Sequence, residues 1–156
     1  MHAISSRNLI CWAVLSSVLL LCGCASVPLA PKEKEAQALD FRTEAGQSGL
    51  YVFRKSQYSG SGLLTQIVLD GKLKGSLKAG TFFYFSVSPS NHSLAYISAD
   101  SQRNVTLDLE AGKNYYVELS PRMEDLGFWK FQFSVADEAH AQAIIRKSRL
   151  AEAFGF

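Results

Sequence analysis

Cysteine is scarce in this chain of 156 residues, and all of it lies early, at Cys11, Cys22 and Cys24. Beyond Cys24 there is no thiol, so neither a disulfide nor a thiolate metal site can hold the remainder together, and its stability must come from core packing. Histidine is nearly missing as well, with only His92 and His140 after His2. A metal site would have to be built largely from carboxylates. Asp137 with His140, at i, i+3, is the only helical pairing on offer, and it reads as a capped helix with a partly exposed imidazole. No metal and no other cofactor is expected. Excess charge of one sign is also lacking: 16 Lys and Arg stand against 14 Asp and Glu, a net +2. That leaves no electrostatic case for nucleic acid, whose binders show a basic stripe.

Catalytic signatures are missing too. Gly46-Gln47-Ser48-Gly49 lacks the second glycine of a nucleophile elbow. Gly60-Ser61-Gly62 is followed by neither Lys-Ser nor Lys-Thr, and no helix starts there to receive a phosphate. Asn91-His92-Ser93 and Asn104-Val105-Thr106 match a glycosylation acceptor and are read as coincidences. The chain is not expected to be an enzyme.

What is present begins with a leader. Met1 to Asn8 is polar with Arg7 as its charge, Leu9 to Leu21 is almost unbroken apolar, and small residues follow, the layout of a secretory signal peptide. As a helix the apolar run spans roughly 20 Å, short of the ~30 Å hydrocarbon core, so a permanent membrane span is the weaker reading. Leu21-Cys22-Gly23-Cys24 resembles the lipobox of bacterial lipoproteins, with Cys24 at the position of the modified cysteine. The resemblance implies cleavage before Cys24, a diacylglyceryl thioether there and, in many bacteria, a further amide-linked acyl chain. Two or three chains anchor stably where one does not. Ala25-Ser26 follows Cys24 without the Asp that commonly retains lipoproteins in the inner membrane, so the resemblance favours the outer membrane, facing the periplasm.

Residues 24–48 mix Pro28, Pro31, Lys32, Glu33, Lys34 and Glu35 with small residues and keep no period, which reads as a flexible tether with a short helix as an option over Ala36 to Arg42. Residues 49–136 change to short β-branched and aromatic runs at the spacing of an all-β sandwich. The runs are Leu50 to Lys55, Leu63 to Leu69, Lys72 to Leu77, Thr81 to Ser88, Ser93 to Ala99, Asn104 to Glu110, Asn114 to Ser120 and Phe128 to Val135. Asp70-Gly71 is a two-residue hairpin signal. The expected fold is a single antiparallel β-sandwich of seven or eight strands. Alternation puts Val105, Leu107 and Leu109, and Trp129, Phe131, Phe133 and Val135, on the core face. Residues 137–156 switch to helical spacing, with Asp137 as N-cap and Ala136, Ala139, Ala143, Leu150 and Phe154 on one face.

Val68-Leu69-Asp70-Gly71, Gly75, a Pro89 turn before His92-Ser93-Leu94, Val105-Thr106-Leu107 and Gly112-Lys113-Asn114-Tyr115-Tyr116-Val117 follow a Tyr51-Val52-Phe53-Arg54 opening. In this order, behind a lipobox, they resemble bacterial lipoproteins carrying a domain of unknown function related to PEGA-type surface domains. The likeness runs over about residues 48 to 140. It implies a prealbumin-like or immunoglobulin-like sandwich and brings no catalytic residue.

Two surface features remain. Lys72, Lys74 and Lys78, and Arg146, Lys147 and Arg149, form small basic patches that read as solvated charge or as contacts with anionic lipid or wall polymer. In Thr81 to Ser88, Phe83, Phe85 and Val87 take one face, yet Phe82 and Tyr84 on the other are also aromatic. Either the C-terminal helix covers them, or Phe82, Tyr84 and Tyr116 form an exposed partner-binding surface. The functional expectation is a lipid-anchored, non-catalytic binding or scaffold module whose partner is the membrane together with an envelope protein or the cell wall. The alternative is a small carrier of an apolar ligand or an accessory subunit of an enzyme.

Overall fold

The computed structural model describes residues 26–58, 60–124 and 129–155. The expected leader with Cys11 and Cys22, the expected lipid-attachment residue Cys24, and Phe128 lie outside the described residues. The elements are α1 (Lys32–Leu39), β1 (Ser48–Arg54), β2 (Thr65–Leu69), β3 (Lys72–Leu77), β4 (Thr81–Val87), β5 (Asn91–Ile97), β6 (Gln102–Asp108), β7 (Asn114–Met123), β8 (Trp129–Val135), α2 (Glu138–Ile145) and β9 (Arg149–Leu150). Each expected run contains a strand, with ends that differ by up to three residues. Asp70 and Gly71 take φ of 51° and 74°, as a tight hairpin between β2 and β3 requires.

The strands form two sheets, β8-β7-β1-β4-β9 and β3-β2-β5-β6. They face each other as the expected β-sandwich, with a helix after it. The pairing is not wholly antiparallel, because β1 runs parallel to β7 and β4 parallel to β9. The ninth strand was not anticipated. It is only two residues long, too short to carry a sequence period, and exists because β4 offers it a free edge.

Strand alternation divides β1 between two apolar layers. Leu50 and Val52 join Phe83, Phe85, Val117 and Leu119 against Ile67, Leu69, Leu94 and Tyr96 of the opposing sheet. Tyr51 and Phe53 point the other way, where Phe82 and Tyr116 pack under Ala30, Ala38, Ala141, Ile145 and Leu150 from the helices and the chain beside them. A strand covered on both faces needs no polar alternation, which explains the doubly aromatic β4. Helix cover is therefore the arrangement found. Phe82 and Tyr116 are 0% and 3% exposed, so neither belongs to an exposed surface, and Tyr84 alone of the three keeps partial access.

Three further expectations need correction. The supposed tether is packed: Val27, Ala30 and Ala38 are buried, the Ala30 amide donates to the Leu150 carbonyl at 2.9 Å, and Leu29 pairs with Ala151. Its apolar residues showed no period because one short helix and an extended strap each bury only one or two of them. α2 does start at Asp137, whose carboxylate accepts from the His140 amide at 3.1 Å. It ends at Ile145, however, and buries Ala141 and Ile145, leaving Ala139 and Ala143 exposed. Pairing of Leu150 with Phe82 overrides the local helical pattern. In the edge strand β8, Phe131 is buried and Phe133 packs against the core, but Trp129 is half-buried and Val135 is 75% exposed. Tyr96, the aromatic facing β8, makes its ring contacts with Phe131 and Phe133.

Candidate functional site

A hairpin turn and a connection between the two sheets meet at one end of the sandwich. Asp70 sits at the tip between β2 and β3, and its Oδ1 accepts the Ser93 amide at 2.9 Å. Its Oδ2 lies 2.7 Å from Nδ1 of the buried His92, while His92 Nε2 lies 2.8 Å from the Ser88 carbonyl and 3.0 Å from Ser90 Oγ. In the sequence Asp70 stands as a turn former and His92 follows the Pro89 turn, and nothing local pairs the two. Both residues belong to the motif order quoted above, which is where the signal lay. Burial works against charge on His92, but the hydrogen bonds to Asp70 and Ser88 and the carboxylate charge outweigh it and raise the imidazole pKa. Burial likewise opposes the Asp70 carboxylate, and the His92 and Ser93 bonds with the nearby His92 and Lys74 charges hold its pKa below the usual value.

The Ser88 carbonyl and the Asp70 carboxylate are both acceptors, so the protonated imidazole can donate to both at once, through Nε2 and Nδ1. In that state the group ties the β2–β3 turn to the β4–β5 connection.

At the opposite end of β1, Arg54 is 1% exposed. Its guanidinium donates to the carbonyls of Leu63 at 2.6 Å, Gly60 at 3.0 Å and Leu77 at 3.3 Å, and lies 4.8 Å from the Phe131 ring centre. Among the described residues no carboxylate forms a salt bridge with it, and Nε has no partner. Burial pushes its pKa down to about 10. The side chain closes the β1–β2 connection over the end of the core.

Between α1, the open half of β4 and the C-terminal strap lies a cleft of about 400 Å³. Ala30, Ala38, Leu150, Ala151 and Ala153 give it an apolar lining, with Tyr84 and Ser86 from β4 and the charged Lys34, Arg42, Glu44 and Glu152 beside them. The Gly80 and Phe82 carbonyls accept from the Arg149 and Ala151 amides. By alternation the backbone groups of Tyr84 and Ser86 point to that same side, beyond the reach of β9, whose register stops at Phe82. Among the described residues no strand pairs with that half of β4, so the cleft runs along an open stretch of sheet edge.

The remaining candidates fall elsewhere. Among the described residues no three His, Cys, Asp or Glu side chains converge as metal ligands, and Asp137 is occupied as a cap. Two residues of the expected C-terminal basic patch are engaged internally: Arg146 lies 4.8 Å from the Phe41 ring centre, and Arg149 pairs with Glu35 at 2.8 Å. Lys72 remains exposed beside the Asp70 turn.

Comparison with known proteins adds a family match over residues 44–128, to the family described as "Protein of unknown function (DUF2846)". An uncharacterized protein of Haemophilus influenzae (strain Rd) is 34% identical over 106 residues, covering 67% of this chain. The match takes in 62% of that relative, so the chain spans less than two thirds of its length.

Proposed function

The chain belongs to this family of proteins of unknown function, DUF2846, and from that premise we propose that it is a lipid-anchored envelope lipoprotein acting as a non-catalytic binding module. Acylation at Cys24 would hold it on the outer membrane, facing the periplasm, and the kinship to PEGA-type surface domains belongs to the same reading. The observation that carries the binding role is the cleft along β4. An extended segment of an envelope protein entering it can hydrogen-bond the Tyr84 and Ser86 backbone as an added strand, with small side chains against the alanine lining and charged ones at Lys34, Arg42 and Glu44. An accessory subunit of an enzyme would engage its partner in the same manner.

The cleft is also large enough for a small apolar ligand, which keeps the carrier alternative in view. A photo-crosslinking residue at Glu44, introduced into the anchored protein in intact cells, distinguishes the readings. Crosslinks to a protein partner that vanish on Ser86→Arg, and do not form from position 97, are the expected result. Lipid or small-molecule adducts alone would favour the carrier. The anchor is tested by metabolic labelling with a fatty acid in wild type and Cys24→Ala, where equal labelling of the two would sink it.

A further inference from the structure

The strap after the leader leaves almost no slack. Only Ala25 and Ser26 separate Cys24 from the buried Val27, about 10 Å of chain at full stretch. Whatever holds Cys24 therefore holds the domain at that distance by the surface surrounding Val27.

The backbone fixes which residues make up that surface. Residues 28–30 run antiparallel to the C-terminal strap, with the Glu152 amide donating to the Pro28 carbonyl and the Ala30 amide to the Leu150 carbonyl, both at 2.9 Å. On its other side the strap lies against β3: the Phe154 amide donates to the Lys74 carbonyl at 2.8 Å, and Lys74 Nζ donates to the Gly155 carbonyl. A Cβ on Gly75 would stand 3.2 Å from the Glu152 carbonyl oxygen, which shows how closely the strap is laid. These three adjoining segments carry Leu29, Phe154 and Leu73, which are 41%, 51% and 46% exposed. The basic Lys72 follows the Asp70-Gly71 turn beside them.

We infer that this surface, with Leu29, Leu73 and Phe154 as its apolar part and Lys72 as a cationic contact, rests on the anionic phospholipid surface into which the acyl chains insert. Apolar side chains sit at the boundary of headgroups and acyl chains, and lysine meets the phosphate layer. The inference deepens the proposed function and rests on acylation of Cys24. The domain is then held against the membrane in one orientation, with Val135 on β8, the edge strand farthest from β9 in its sheet, directed away from it.

Spin labels read this directly. Once the leader is removed and Cys24 acylated, the chain has no other thiol, so Leu73→Cys, Phe154→Cys and Val135→Cys can each be labelled singly. The three positions are exposed, so labelling leaves the core intact. On vesicles of phosphatidylethanolamine and phosphatidylglycerol, labels at 73 and 154 are expected to lose collisions with a water-borne nickel chelate and gain them with dissolved oxygen, while the label at 135 keeps its aqueous profile. Labels at 73 and 154 as water-accessible as that at 135, on protein whose acyl mass is confirmed and which is bound to the vesicles, would overturn the inference and leave the anchor standing. A mature protein without acyl mass would overturn both.

Discussion

The Tyr51 hydroxyl donates to the Ala38 carbonyl at 2.8 Å, joining the central strand β1 to the last turn of α1. Burial first, then the neighbouring Tyr84, Tyr116 and Asp40, drives the Tyr51 pKa upward, so the phenol keeps the proton this bond needs. An eight-residue helix does not persist alone in water, and the carbonyls of its last turn have no partners within the helix. The bond meets one of them and fixes the helix over the outer face of the sheet.

Tyr51→Phe should therefore cost about 1 kcal/mol in urea unfolding, the net worth of a typical internal hydrogen bond. Amide exchange in Lys32–Leu39 should accelerate more than exchange in β1. An unchanged midpoint with unchanged exchange would mean that apolar contact alone holds α1.

The Asp70–His92 pair should make stability depend on pH in both directions. His92 has its pKa raised above the ordinary 6.5, so its contribution is complete below that value and is lost as pH rises through the higher folded value. Asp70 has its pKa lowered from 3.8, so its contribution is present above that value and is lost as pH falls through the lower folded one. His92→Gln should flatten the alkaline limb of a melting-temperature profile. A wild-type profile level from pH 6 to 9 would count against the charged imidazole.

Removing Arg54 should be costly in a way its charge alone does not suggest. Arg54→Met keeps much of the volume but strips the Gly60, Leu63 and Leu77 carbonyls of their donor, with an expected loss of roughly 2 to 3 kcal/mol. The β1–β2 connection should also become the first site of limited proteolysis. Full stability in Arg54→Met would show that relief of burying an unpaired charge offsets the lost bonds.

Phe131 and Val135 stand on one strand and should behave oppositely. Phe131→Ala removes a ring packed against Tyr96 and should cost on the order of 3 to 5 kcal/mol. Val135→Ser, at an exposed position, should stay within about 0.5 kcal/mol. Similar losses at both positions would place the end of β8 in the core after all.

The sandwich was legible because its signals were local and redundant: Asp70-Gly71 announced its turn, and Leu107 and Leu109 alternated onto the core face as the burial pattern of the strand requires. What was lost depended on distant partners. Val27 and Ala30 look like spacer residues until Leu150 and Ala151 arrive beside them, and Arg149-Leu150 reads as helix until β4 supplies an edge. The Asp70–His92 pair joins residues from different hairpins, so neither local pattern contains it. The cleft escaped for the same reason, since its lining comes from α1, β4 and the C-terminal strap.

The pairing of Leu29 with Ala151 also bears on how the molecule is made. That contact cannot form until the chain has been made as far as Ala151, and closing so long a loop is slow compared with forming hairpins. Val27 and α1 therefore have no completed seat until β9 and the residues after it are in place. Of the described segments, the one made first is the last to lock.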